Sequence, residues 1–185
     1  MTRFSGFRTV AAIAVALLLL TSAPAFAQVS SGAGNDVTLT ATLLETLTIS
    51  LDQTAVTFAL TSRSATNAGN VPVVATTSWI LGVGRTAVTL YAYFDSPTAA
   101  LSLGAVDIAS SQVSATVGGT SVGAFTNTVP FGSAGVTIFN QAVDNTNRTG
   151  TNTSSVALNI DLTATPQLPA GVYAGTLHFR AQATT

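Results

Sequence analysis

The stretch Thr86-Ala87-Val88-Thr89-Leu90-Tyr91-Ala92-Tyr93-Phe94 decides the fold class. Successive side chains of an extended chain point to opposite faces, so Val88, Leu90, Ala92 and Phe94 share one face and Thr89, Tyr91 and Tyr93 the other. A helix would scatter both sets. This is a strand with one apolar face, and a chain built from such strands must bury those faces against each other.

The same period of two recurs along the chain. Val71 to Trp79 reads as a strand, as do Leu47 to Leu51, Ala99 to Leu103, Ala105 to Ile108 and Val136 to Phe139. Val56 and Phe58 lead into a polar loop from Thr61 to Asn70. Gln112 to Val117 and Thr120 to Phe125 flank Gly118-Gly119, a hairpin signal, because both central residues of a type I′ turn need positive φ. After the polar stretch Asp144 to Thr153, Val156, Leu158, Ile160 and Leu162 alternate with Ala157, Asn159 and Asp161. Pro166, Pro169 and Gly171 mark a turn, and Tyr173, Gly175, Leu177, Phe179 and Ala181 form one face of a last strand. Val37, Leu39, Ala41 and Leu43 alternate with Thr38, Thr40 and Thr42 in a further expected strand. Its pattern restarts out of phase at Leu47, which predicts a bulge or sheet switch near Glu45. Many short strands with turn signals about every ten residues predict an all-β chain, a single antiparallel β-sandwich of immunoglobulin-like architecture, with a closed barrel as the competing layout.

The N-terminus reads as an export signal. Arg3 and Arg8 precede an uncharged apolar run, Thr9 to Leu20, and Ala25-Phe26-Ala27 supplies a small-x-small cleavage site. The run is about half of the roughly 20 residues a membrane-crossing helix needs. Cleavage after Ala27 leaves 158 of 185 residues, the size of one domain. The expected organisation is a signal over 1–27, a flexible segment over 28–36 and the sandwich over 37–185. With no cysteine for lipid attachment and no second apolar span, the expected destination is the periplasm, cell surface or exterior, without a transmembrane anchor in the mature chain.

Composition narrows the function. Charged residues make up only 7% of the chain, against about 25% in ordinary soluble domains. The mature part carries four arginines (Arg63, Arg85, Arg148, Arg180) and seven acids (Asp36, Glu45, Asp52, Asp95, Asp107, Asp144, Asp161). No cationic cluster is present to hold nucleic acid. A surface of hydroxyls and amides suits self-association or a crowded extracellular layer, and equally a plain β-rich secreted domain.

No catalytic set emerges. His178 is the single histidine, on the strand face shared with Thr176 and Arg180, and no acids are paired as glycoside hydrolysis requires. No nucleophile elbow or phosphate loop occurs. The chain is read as no enzyme, with no cofactor and no His- or Cys-based metal site. Asp144-Asn145-Thr146-Asn147 offers oxygen ligands for calcium or, more simply, an Asx-type turn. Trp79, Tyr91 and Tyr93 are the candidate interaction surface: Tyr91 and Tyr93 share a face that, if exposed, can stack on sugar rings or meet another subunit.

The beginning of the domain, VTLTATLLETLTISLDQTAVTFAL, and its ending, LPAGVYAGTLHFRAQA, resemble exported bacterial β-sandwich subunits of the spore-coat-protein-U and fimbrial type. The resemblance implies a pilin-like sandwich and a structural or adhesive role, in self-association or with other surface subunits and a periplasmic chaperone. It implies donor-strand exchange, in which an alternating strand of one subunit completes the sheet of the next. Val37, Leu39, Ala41 and Leu43 are then the donor strand, and Leu177, Phe179 and Ala181 the chaperone-paired edge. The chain departs from that group in having no cysteines. The alternative function is a secreted glycan-binding module using Trp79, Tyr91 or Tyr93.

Overall fold

The computed structural model describes residues 38–126, 135–165 and 167–185; the predicted signal, the segment 28–36 and Val37 lie outside them. The chain divides into two units, residues 1–41 and 42–185. Of the first, residues 38–41 are described and belong to no strand or helix.

The second unit is all-β, with antiparallel sheets. In chain order its strands are β1 (Thr46–Leu51), β2 (Asn67–Ala68), β3 (Val73–Ile80), β4 (Ala87–Tyr93), β5 (Leu101–Leu103), β6 (Val106–Ile108), β7 (Val113–Val117), β8 (Thr120–Ala124), β9 (Val136–Ala142), β10 (Thr149–Ile160) and β11 (His178–Thr184). The larger sheet runs β1-β3-β10-β7-β8, with β2 beside β10; the second runs β11-β4-β9, and β5 pairs with β6. A single 3₁₀ turn, Ser110–Gln112, leads into β7.

Both larger sheets contribute to one core, an arrangement compatible with a β-sandwich. Ala75 of β3, Val113 and Ala115 of β7, and Val156, Leu158 and Ile160 of β10 are buried together with Leu90 and Ala92 of β4 and Val136 and Ile138 of β9. The alternation of residues 86–94 is realised: Val88, Leu90, Ala92 and Phe94 are all buried. Gly118 and Gly119 take φ of 55° and 85° between β7 and β8, as the type I′ turn demands.

Three expectations differ. The strand expected over 37–43 is absent from residues 38–45, which have no ladder partner. The sheet begins at Thr46 instead, opposite Ile80. The polar stretch 144–153 turns out to be strand from Thr149 onward, because Thr149 to Ser155 pair with Val74 to Ile80 of β3. Threonine suits a half-exposed pleat, so hydroxyl ladders replace apolar contacts: Thr76 meets Thr153 at 3.3 Å and Ser78 meets Thr151 at 3.1 Å. Gly150 is needed there, since a side chain would run into the Trp79 indole. Finally, the last strand begins at His178, five residues later than Tyr173, and this sets up the site described below.

One core position carries a cost. Thr77 is fully buried on the inner face of β3 and its hydroxyl has no hydrogen-bond partner among the described residues. An unsatisfied buried hydroxyl costs about 1–3 kcal/mol, whereas a methyl of similar size does not. Thr77→Val is therefore expected to raise the stability of the folded chain by about 1 kcal/mol, read as a higher urea midpoint at unchanged slope.

Candidate functional site: an apolar groove between two sheet edges

β1 and β11 each end a sheet. Among the described residues, β1 pairs with β3 alone and β11 with β4 alone, and the two strands approach one another. Past Leu51, the chain from Gln53 to Leu60 borders one side of a groove of about 860 Å³, and the chain from Gly171 to Leu177 borders the other. Val73, Phe94, Leu101, Val113, Leu158 and Phe179 line it from both sheets and the β5 strand. Such a cleft is a break in the core, filled elsewhere by side chains at close packing.

The first wall is fixed by amides. Asp52 Oδ1 accepts the Val74 N–H at 2.7 Å while the Asp52 N–H donates to the Val74 carbonyl at 3.1 Å. Asn70 Oδ1 accepts the Thr57 N–H at 2.9 Å, and Asn67 Oδ1 accepts that of Thr61 at 2.6 Å. Asn67 is buried and also donates through Nδ2 to the Ile160 carbonyl at 2.9 Å. Sequence reading passed over Asn67 as one polar residue in a polar loop. Its role depends on a ladder partner, Ile160, that is 93 residues away.

The second wall is an almost unpaired strand. Between Gly171 and Leu177, Ala174 alone joins another strand among the described residues, exchanging bonds of 2.8 and 3.1 Å with Ser102. Gly175 lies so close to the Ala100 carbonyl that no side chain fits, and Gly171 lies likewise against Leu103. The Tyr173 hydroxyl donates to the Pro169 carbonyl at 3.0 Å, closing the turn. The alternation of Tyr173, Gly175 and Leu177 is that of a strand, but the ladder with β4 starts only at His178 opposite Tyr93. Apolar surface is open nearby, with Val172 84% exposed.

The segment before β1 complements this. Leu39 is 89% exposed, Leu43 79% and Leu44 73%. Its last residue, Glu45, is held firmly: Oε1 accepts the Gly82 N–H at 2.6 Å and Arg85 Nε at 3.2 Å, and Oε2 accepts Arg85 Nη2 at 2.9 Å. The Arg85 guanidinium and the Gly82 N–H hold the Glu45 carboxyl at about 2, well below its ordinary 4.5. The expected bulge or sheet switch near Glu45 does not occur, because no strand is described before β1; the sheet begins there beside a clamp.

The aromatic residues do not form an exposed platform. Trp79 faces inward from β3, 5% exposed, stacked on Phe139 at 5.9 Å and donating from Nε1 to the Asn147 carbonyl at 3.0 Å. Tyr93 is 9% exposed under His178, whose ring stacks on it at 5.1 Å. Tyr91 is half-buried on the same face, opposite Arg180. The alternation placed Tyr91 and Tyr93 correctly on the face away from the core, but it carried no information about what covers that face. His178 Nε2 lies 3.0 Å from Asp95 Oδ2, so the single histidine braces the turn after β4.

Asp144 Oδ1, Asn145 Oδ1 and Asn147 Oδ1 all accept bonds from within the turn. Asp144 Oδ1 accepts the Thr146 N–H and hydroxyl at 2.7 Å each, an Asx-type turn that lowers the Asp144 pKa, and Asn147 Oδ1 accepts the Asp144 N–H at 2.8 Å. Asn145 Oδ1 accepts Arg148 Nη2 at 2.7 Å. Among the described residues, no group of three or more His, Cys, Asp or Glu side chains is gathered, and no helix is long and apolar enough to cross a membrane.

Compared with protein-family models, curated proteins and solved structures, the chain matches none.

The clamp has a pH signature. Because its folded pKa is depressed, Glu45 contributes stability above its ordinary pKa, and that contribution is lost as pH falls from about 4.5 toward about 2. Urea midpoints of the wild type and Glu45→Gln are expected to differ at pH 7 and to converge near pH 2.

Proposed function

We propose that the protein is a non-enzymatic, exported structural or adhesive subunit that assembles with copies of itself at the cell surface or outside it. The finer fold reading that goes with this is an immunoglobulin-like or pilin-like sandwich lacking one edge strand. In this reading the groove of one copy receives the segment of the next that carries Val37, Leu39, Ala41 and Leu43.

A single observation carries the proposal. A strand-like wall with almost no ladder partner among the described residues borders an apolar groove, while the same chain carries the alternating set Leu39, Ala41 and Leu43, of which Leu39 and Leu43 are 89% and 79% exposed. Unpaired edges and apolar side chains both seek partners, and an added strand satisfies both at once. Each leucine moved from water into the groove contributes about 1.5–3 kcal/mol. Thr38, Thr40 and Thr42 would then face solvent, in keeping with the hydroxylated outer faces of β1 and β10. The low charge of the chain suits close packing between copies.

Donor and groove belong to opposite ends of β1. Glu45 precedes its first residue, beside Gly82 and Arg85, and the groove begins at its last, Leu51. Contacts of that kind are head-to-tail, and repeat without closing unless a rotation happens to bring them round. A periplasmic chaperone fits the same account as a temporary occupant of the β11 edge at Leu177, Phe179 and Ala181.

Sedimentation of the mature chain over a range of concentrations tests the reading. Oligomers growing with concentration are expected. A synthetic peptide spanning residues 36–45 should cap the groove and hold the chain monomeric, and Leu177→Arg, which puts a charge in the wall, should do the same. A strictly monomeric protein that ignores the peptide would remove the proposal.

A further inference from the structure

The larger sheet turns one face to the core and the other to solvent. We infer that its outer face is a docking surface for a neutral polysaccharide chain, separate from the groove and independent of the assembly proposed above.

β1, β3, β10, β7 and β8 contain no charged residue at all. Protein surfaces ordinarily intersperse charges of both signs, so the exposed side of this sheet relies on hydroxyls for its contact with water. Ala75, Thr77 and Trp79 of β3 and Ser154 and Val156 of β10 are buried, and Leu47 and Ile49 of β1 pack against the core. The residues that alternate with them therefore face outward. The ladders align those residues across three strands: Thr48, Ser78 and Thr151 form one row, and Ser50, Thr76 and Thr153 the next. In a third row Thr46 and Thr149 lie on either side of Ile80. The positions that carry these hydroxyls repeat at roughly 4.8 Å across the strands and roughly 6.8 Å along them.

The chemistry of the rows selects the partner. Thr76 and Thr153 hydroxyls are 3.3 Å apart and those of Ser78 and Thr151 3.1 Å, and in each pair either oxygen can donate. One hydroxyl hydrogen is used within the pair; the other is left to donate outward, and both oxygens still accept. A ligand of fixed polarity, such as a phosphate or an ammonium group, uses only the donors or only the acceptors and finds no counter-charge. A sugar hydroxyl is donor and acceptor at once and fits either state of the pair. Threonine methyl groups beside the hydroxyls offer apolar contact to the C–H faces of a sugar ring.

Size and shape narrow the partner further. Exchanging a bond to water for a bond to sugar gains little at any one hydroxyl, so the ligand has to be a chain that engages several rows together. Neighbouring strands are rotated by about 20–25°, so the three strands make a twisted surface that a flexible polymer can follow and a flat crystal cannot. Where copies are joined through the groove, each brings the same face to the fibre, and a weak single contact is multiplied.

The test is affinity electrophoresis of the whole mature chain, at low concentration, in native gels cast with dextran, with mixed-linkage β-glucan or with anionic alginate. Each mobility is taken relative to a gel without polysaccharide. Wild type is expected to be retarded by at least one neutral glucan and not by alginate. Thr76→Lys and Thr151→Lys, which raise a long side chain among the rows, should each weaken that retardation at least tenfold, whereas Thr151→Ser should keep it within about twofold. Tyr91→Ala, on the other sheet, should change nothing. Wild type that passes both neutral glucans unretarded, equal retardation by alginate, or retardation that Tyr91→Ala removes while the lysine variants leave it intact, would overturn the inference. Both lysine positions lie outside the groove, so sedimentation of these variants should match wild type. A chain that never assembles yet is retarded by glucan through these rows removes the assembly reading and leaves this one standing. Should Thr76→Lys not fold, the more exposed Thr151→Lys decides.

Discussion

The structure depends on two strands that, among the described residues, each have a partner on one side only. β1 and β11 terminate their sheets and face each other across the same end of the molecule, and the chain that should continue each of them, beyond Leu51 and before His178, runs on without a ladder. An unpaired row of backbone groups beside apolar side chains is a liability that folded proteins normally blunt with charge, proline or a covering segment. Here the walls are held open by specific bonds from Asp52, Asn67, Asn70 and Ser102. Built in that way, the groove is a part of the fold.

The remainder of the molecule supplies rigidity around that opening. Without cysteine, the folded state rests on core burial and long ladders, of which β10 against β3 and β7 is the most extensive. Phe94 packs edge-on against Phe125 at 5.1 Å, tying the floor of the groove to the hairpin of β7 and β8. Trp79 packs at the other end of the sheets, where β3 leads into the clamp.

Much of the fold was legible in the sequence, for reasons that separate particular residues. Val88, Leu90, Ala92 and Phe94 gave their strand away because burial on one face writes itself into alternation, and Gly118-Gly119 because positive φ at two adjacent positions has few other solutions. Thr149 to Thr153 did not, because a hydroxylated strand is recognised by its neighbour and not by its own pattern. Tyr93 was placed on the right face, but its cover comes from His178, 85 residues further along. Of the candidate site, the alternating leucines were visible and the groove was not. Tyr173, Gly175 and Leu177 read as an ordinary strand, and only pairing shows that their partner is missing.

The account stands on one claim: residues 37–43 of one copy lie in the groove of another. Because the chain has no native cysteine, Ala41→Cys and Thr176→Cys can be introduced together, and their oxidation reads proximity directly, since a disulfide needs the two Cβ atoms within about 4.5 Å. The account predicts a series of disulfide-linked dimers, trimers and longer chains on a non-reducing gel, collapsing to one band on reduction and absent from either single variant at low concentration. A doubly substituted protein that stays a single unlinked species at high concentration, while remaining folded, would contradict it.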